Sequence, residues 1–175
     1  MKPKIKVVLT DIDGVWTDGR IYLDEKGKSF KAFSTQDSVG VSLLRLIDIP
    51  LIIITGEDSE IISHRASQLQ ISHIYTGVRN KLFIAEAAVR KLGFTLNEAA
   101  YIGDDIIDLP LLRAVGLGAV PANAPDYLKK HVKTILTKES GNGVFREFCE
   151  MVAAQRGQLD EMFNKYLDRA TSAKY

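Results

Sequence analysis

Val7-Val8-Leu9-Thr10-Asp11-Ile12-Asp13-Gly14 is the stretch on which the reading of this chain turns. An apolar run that stops at two carboxylates and a glycine reads as a buried strand ending at a polar mouth. Side chains alternate along a strand, so Asp11 and Asp13 point one way and Ile12 the other. Open α/β sheets hold their ligands at the carboxyl ends of strands. Two neighbouring carboxylates repel unless a cation or a proton lies between them, and a hard, oxygen-seeking ion such as Mg²⁺ suits such a pair. Taken alone, the tetrapeptide Asp11–Gly14 is also an ordinary Asx turn.

Three further polar positions follow at element boundaries. Leu51-Ile52-Ile53-Ile54 runs into Thr55-Gly56, a second buried strand ending in a hydroxyl and a glycine. Asn80-Lys81 opens a segment whose apolar positions Leu82, Ala85, Ala88, Val89 and Leu92 have helical spacing. A cation in the first turn of a helix opposes the macrodipole, so Lys81 is placed there by something other than helix stability. Ala99-Ala100-Tyr101-Ile102 runs into Gly103-Asp104-Asp105-Ile106-Ile107-Asp108, an acid cluster after another strand.

Pattern predicts strands at 5–10, 51–54, 73–75, 100–102, 117–120 and 134–136. Helices are expected near 38–48, 59–69, 81–93, 107–114, 124–130 and 144–156. Strict alternation of this kind implies an α/β fold, a doubly wound parallel sheet, with residues 1–175 forming a single domain. Arg20–Asp24 and Ser29–Phe33 flank Glu25-Lys26-Gly27, a hairpin signal directly after the first strand. It stands either as a flap over the mouth or as an extra edge hairpin. No segment has room for a cap domain.

Composition narrows the function classes. The 175 residues are 46% apolar and 26% charged with a net charge of +1, as in an ordinary globular domain. The densest basic run is Lys129-Lys130-His131, too little for a nucleic-acid face. No apolar run is long enough for a membrane span. Cys149, the lone cysteine, shares an apolar helix face with Phe145, Phe148 and Val152 and reads as a core thiol. Met1-Lys2-Pro3-Lys4 leads into the first strand without a signal-peptide pattern, so a soluble cytoplasmic protein is expected.

The order of acid pair, Thr55, Lys81 and acid cluster resembles the haloacid dehalogenase superfamily of phosphohydrolases, over residues 5 to about 137. Those enzymes carry DxDx(T/V), Thr/Ser, Lys, then an acid pair such as GDDxxD. The resemblance implies an aspartyl-phosphate mechanism, with Asp11 the nucleophile and Asp13 the general acid and base. It implies Mg²⁺ held by the Asp11 carboxylate, the Asp13 backbone carbonyl and Asp104. Thr55 and Lys81 would then bind the phosphoryl oxygens, and Asp105 would orient Lys81 or a metal-bound water. Asp108 is either a supporting acid or a helix-terminal charge.

Within that superfamily the chain looks most like phosphatases of 8- or 9-phosphorylated keto-deoxy sugar acids. Gly77-Val78-Arg79-Asn80-Lys81, the ending Gly141–Glu147 and the tail Ala154–Glu161 are similar to the octulosonate 8-phosphate enzymes. By that likeness Ser34-Thr35-Gln36-Asp37-Ser38, Gly56 and Arg65 contact substrate. Ser34–Ser38 is equally a helix N-cap segment, and Arg65 equally an exposed helix charge. Glu57 and Asp37-Ser38 look more like the nine-carbon enzymes, in which Gln68 would be a lysine; Ser42 stands where the octulosonate enzymes have arginine. The tail tips the reading to the eight-carbon acid.

Families resembling this one are homotetramers. The apolar stripe Leu159, Met162, Phe163 and Tyr166 is expected to reach a neighbouring subunit's mouth, with packing on its own core as the alternative. Two other classes share parts of the pattern. A phosphoacceptor receiver domain would place adjacent acids first, and a non-catalytic module would not need the acids and lysine intact.

Overall fold

The computed structural model describes residues 4–172. The expected entry at Met1-Lys2-Pro3 and the last three residues of the tail lie outside that range. The described residues form eight strands and seven α-helices, alternating from the third strand onward until two helices close the chain. In chain order they are β1 (Val7–Thr10), β2 (Tyr22–Leu23), β3 (Ser29–Phe30), α1 (Thr35–Leu46), β4 (Leu51–Ile54), α2 (Glu60–Gln68), β5 (His73–Tyr75) and α3 (Lys81–Lys91). There follow β6 (Ala99–Ile102), α4 (Leu109–Ala114), β7 (Leu117–Val120), α5 (Asp126–Lys129), β8 (Thr134–Ile135), α6 (Val144–Gln155) and α7 (Leu159–Ser172). Six strands make one parallel sheet in the order β5-β4-β1-β6-β7-β8. The chain winds outward through β4 and β5, then returns to the other side of β1 at β6. The strand order therefore switches around β1, where the crevice of a doubly wound sheet opens.

Strand alternation splits the core in two. Val8, Ile53, Ala100 and Ile102 face α1, α2, α6 and α7, whereas Val7, Leu9, Ile52, Ile54 and Tyr101 face α3, α4 and α5. Both faces of β1 are buried, which is why its sequence is continuously apolar rather than alternating.

The hairpin is real but short. Tyr22 pairs with Phe30 and Leu23 with Ser29 in a separate two-stranded sheet, so it is not an edge of the main one. Ile21, Tyr22, Leu23 and Phe30 on it are exposed.

The C-terminal stripe corrects the expectation of an intersubunit reach. Met162 is fully buried, and Leu159, Phe163 and Tyr166 pack on the core beside α1 and α6. Lys165 Nζ also donates to the Leu46 carbonyl at 3.1 Å. Gly157, at φ +70°, ends α6 and turns the chain into this helix. Cys149 is buried beside Phe145, and burial pushes its thiol well up, leaving it inert.

Candidate active site

Asp11 and Asp13 follow β1 directly, and both line a cleft of about 270 Å³ together with Thr55, Gly56, Glu57, Lys81, Asp104 and Asp105. Ile12 points into the core, as alternation requires. The loop that carries the acids is tied down from behind. Trp16 stacks on Phe145 of α6 with ring centroids 4.5 Å apart, and its Nε1 donates to Thr10 Oγ1 at 2.9 Å. Gly141 N donates to the Val15 carbonyl at 2.9 Å, and Ser140 Oγ donates to that of Gly14. Gly14 has φ +75°, and a Cβ there would lie 1.8 Å from Asp104 Oδ2. Only glycine lets Asp104 come this close.

Lys81 is the hub of the site. It is 2% exposed, and its Nζ lies 2.7 Å from Asp11 Oδ2 and 2.6 Å from Asp108 Oδ1. Burial alone would lower the pKa of the amine, but the two carboxylates outweigh burial and raise it. That pairing explains why a lysine sits in the first turn of α3, against the macrodipole. Asn80 caps that helix, accepting from Phe83 N at 3.1 Å.

Asp108, wholly buried, has every lone pair engaged. Oδ1 accepts from Lys81 and from Tyr101 OH at 2.5 Å, while Oδ2 accepts from Asp104 N at 2.9 Å and Asp105 N at 3.1 Å. It thus aims Lys81 and shapes the acid loop at once, and it is not merely a helix-terminal charge. Asp105 does not reach Lys81, the first of the two roles expected of it. Its Oδ1 accepts from Ile106 N at 2.6 Å and from Tyr127 OH at 2.7 Å, on the exposed side of the loop.

Asp11, Asp104 and Asp108 each present a carboxylate oxygen within 4.8 Å of the others. Asp108 is spent on its four hydrogen bonds, which leaves Asp11 and Asp104 as donors. Burial, with Asp108 nearby, raises Asp11 to about 7 despite Lys81. Burial and the Asp11 charge raise Asp104 to about 8. Asp11 Oδ1 is buried with no hydrogen-bond partner. Two crowded carboxylates, one with an orphaned buried oxygen, fit a hard divalent cation.

Asp13 points to the mouth, where Lys31 Nζ donates to its Oδ1 and Oδ2 at 2.6 and 2.7 Å and also to Glu57. Lys31 was not foreseen. It lies in the hairpin, outside every motif, and a lysine between Phe30 and Ala32 carries no local signal of a partner 18 residues away.

The remaining expected contacts stand apart from the cleft. Ser34 caps α1, accepting from Gln36 N at 3.2 Å, and Thr35 begins the helix. Gln36 Oε1 accepts from Lys138 Nζ at 2.9 Å. Asp37, buried under α6, accepts from Arg146 N at 3.0 Å, and burial raises it to about 6. Arg65 donates to Ser38 Oγ at 2.5 Å and lies over Phe33 at 5.6 Å. The N-cap reading of 34–38 therefore holds in this chain. Arg65 is engaged rather than a free surface charge, and its Nε is buried without a partner. Gln68 accepts from Arg65 at 3.2 Å, and Ser42 only donates back to the Ser38 carbonyl at 3.3 Å.

Residues 53–148 match the haloacid dehalogenase-like hydrolase family. The chain belongs to that family. The hydrolase is 36% identical over 154 residues to the 3-deoxy-D-manno-octulosonate 8-phosphate phosphatase of Haemophilus influenzae, covering 88% of this chain and 86% of that one. The Escherichia coli enzyme of the same name is 35% identical over 157 residues, 90% of this chain and 84% of its own. In three dimensions the hydrolase superposes on the Moraxella catarrhalis phosphatase, solved with magnesium, phosphate and KDO. The TM-score is 0.89 at 36% identity, over 94% of this chain and 95% of that one. The cobalt-bound Haemophilus influenzae enzyme gives 0.85 at 36% identity, over 89% and 91%. Adjacent acids at the first strand, the mark of a receiver domain, are absent from this hydrolase.

Proposed function

We propose that this hydrolase is a Mg²⁺-dependent phosphoric monoester hydrolase that releases phosphate from 3-deoxy-D-manno-octulosonate 8-phosphate, a step toward lipopolysaccharide precursors. The observation that carries the reading is the buried Asp11–Lys81–Asp108 arrangement opening on a cleft with Asp13 at its mouth. The relatives that share this fold over most of their length carry that activity in their names.

Asp11 and Asp104, with the Asp13 carbonyl, would hold Mg²⁺, which supplies charge neutralisation for the phosphoryl oxygens. Asp11 Oδ attacks phosphorus as the bond to the sugar oxygen breaks, and Asp13 delivers its proton to that oxygen. Water then attacks the aspartyl phosphate, giving its proton to Asp13 and restoring Asp11. The Lys81 ammonium and Thr55 hydroxyl compensate charge gathering on the phosphoryl group, in a site that needs little rearrangement to do so. Gly56 keeps the wall beside Thr55 free of a side chain. Asp105 is assigned a supporting role through the loop that carries Asp104.

Substrate discrimination is assigned to Glu57 in the cleft wall and, in an assembled homotetramer, to the Ser34–Ser38 segment with Arg65. The exposed apolar hairpin residues and the open cleft support assembly, because either would be covered by a neighbouring copy. Among the described residues no helix is long and apolar enough to cross a membrane. We place the enzyme in the cytoplasm, as one domain acting on a small phosphorylated sugar acid, without nucleic-acid or membrane partners. Glu57 lining the cleft favours a second reading, a nine-carbon keto-deoxy acid 9-phosphate.

Two measurements test this. Phosphate release from the eight- and nine-carbon esters decides the substrate, and preference for the nine-carbon ester would replace the first reading with the second. Asp11→Asn keeps the side chain's shape but removes the attacking charge, so turnover should fall more than about a thousandfold in a chain that still folds. Substantial residual turnover would refute covalent catalysis by Asp11.

A further inference from the structure

Lys31 is the residue by which the hairpin touches the reacting groups. It follows β3 directly, its side chain is fully buried, and its ammonium bridges acids on two different loops. Both oxygens of Asp13 accept from it, at 2.6 and 2.7 Å, and Glu57 shares the same nitrogen. Thr17 Oγ1 adds a weaker bond to Asp13 Oδ1 at 3.2 Å.

Asp13 needs such a fastening. Its side chain is 32% exposed at the cleft mouth, whereas that of Asp11 is 8% exposed and wedged against Lys81. A carboxylate exposed to that extent and held by one weak bond would sample several rotamers, and proton transfer tolerates little misplacement. Two bonds from one ammonium fix the direction in which the carboxylate points. Glu57, 35% exposed, is a second anchor that keeps the ammonium beside the cleft. A protonated Asp13 accepts fewer bonds than the carboxylate does, and Lys31 then still has Glu57 to hold it in place.

We propose that Lys31 is a positioning residue for proton transfer. Through it the root of the hairpin aims Asp13 at the oxygen of the leaving sugar, and Glu57 holds Lys31 in register. The proton passes from Asp13 to the sugar oxygen as the phosphorus–oxygen bond breaks, and the carboxylate left behind regains both bonds from Lys31. The proposal rests on Asp13 being the general acid.

Leaving-group dependence tests it, because an alkoxide needs that proton and p-nitrophenolate does not. In single turnovers of the full, Mg²⁺-loaded chain, Lys31→Met should slow cleavage of the sugar-acid phosphate by about 10- to 100-fold. Cleavage of p-nitrophenyl phosphate should change by less than about threefold, with KM for both esters moving no further than that. Lys31→Arg, which restores a two-pronged donor, should recover most of the sugar-ester rate. Equal losses on the two esters, not recovered by arginine, would reduce Lys31 to a structural tie and overturn the proposal.

Asp13→Asn separates the two possible failures. If it too slows both esters equally, Asp13 is not the acid and the reading beneath falls. If it is selective while Lys31→Met is not, the Lys31 proposal alone falls. Should Lys31→Met melt below the assay temperature, Lys31→Gln keeps the length and a donor and must show the same selectivity.

Discussion

The two charged clusters flanking Asp11 are built to opposite rules. Behind it, Lys81, Asp108 and Tyr101 form a dry lattice in which each is almost wholly buried and each carboxylate oxygen of Asp108 has two donors. In front, Asp13, Lys31 and Glu57 form a chain in which both acids are about one-third exposed and one ammonium serves two acceptors. A buried ion pair is stable only when its polar atoms are satisfied, so the rear cluster is over-determined and rigid. The front cluster hangs on a single ammonium at the edge of the cleft, with water at hand for either acid, so it carries less of the fold's stability. The buried lattice sits where phosphate charge must be met, and the water-accessible tie sits where a proton moves.

The largest expected effect belongs to the rear cluster. Asp108→Ala would strand the Tyr101 hydroxyl, two backbone N–H groups and half of the Lys81 pairing, and should cost about 3–5 kcal/mol. A chemical denaturation curve measures it. A loss below about 1 kcal/mol would mean that the lattice is not tight, and the contrast between the clusters would collapse.

Tyr101→Phe tests the same lattice more gently. Burial and the neighbouring Asp108 hold the phenol well above its ordinary pKa, so it is a permanent donor. Losing one hydrogen bond to a buried carboxylate should cost about 1.5–3 kcal/mol, read from the same curves. A neutral outcome would mean that this bond adds nothing to the lattice.

Next in size is the coupling of Mg²⁺ to pH. Asp11 near 7 and Asp104 near 8 are both raised by burial. A raised carboxyl pKa gives stability at low pH that is lost as pH climbs through the folded value. The metal-free chain should therefore melt lower at pH 8.5 than at pH 6.5. Because Mg²⁺ must displace those protons, its apparent affinity should rise at least about tenfold over the same interval. Calorimetric titration at the two pH values decides this, and pH-independent binding would remove Asp11 and Asp104 from the metal site.

The smallest effect is expected at the front. Glu57→Gln leaves Lys31 its two bonds to Asp13, and a partly exposed pair is worth no more than about 1 kcal/mol. A loss as large as that of Asp108→Ala would show the front cluster to be as rigid as the rear one, contrary to the contrast drawn above.

Much of the layout was legible in sequence order. Buried strands announce themselves by continuous apolar runs, and Leu51–Ile54, His73–Tyr75 and Leu117–Val120 fall where the pattern put them. The ends of the other elements shifted by one to three residues, as at α1, which begins at Thr35 because Ser34 caps it. The tail was misjudged because an apolar stripe shows that a face will be covered but not by what. Here the cover is the protein's own α1 and α6. Which of Asp105 and Asp108 meets Lys81 was not legible for a related reason. Both follow the same strand, and only the turn Ile106–Asp108 folds the second acid inward onto Lys81.

By itself, then, the sequence determined the strand–helix alternation, the parallel sheet and the identity of the polar residues at its carboxyl edge. Those follow from periodicities of two and 3.6 residues and from polar groups stranded at the ends of apolar runs. Tertiary structure alone decided the partnerships: Asp108 with Lys81 across 27 residues, Lys31 with Asp13 across 18 and with Glu57 across 26. Such pairings depend on distances of a few ångströms set by how loops cross a packed sheet. No local preference of the chain encodes them, because the energy that selects them exists only once burial has taken water away from the charges.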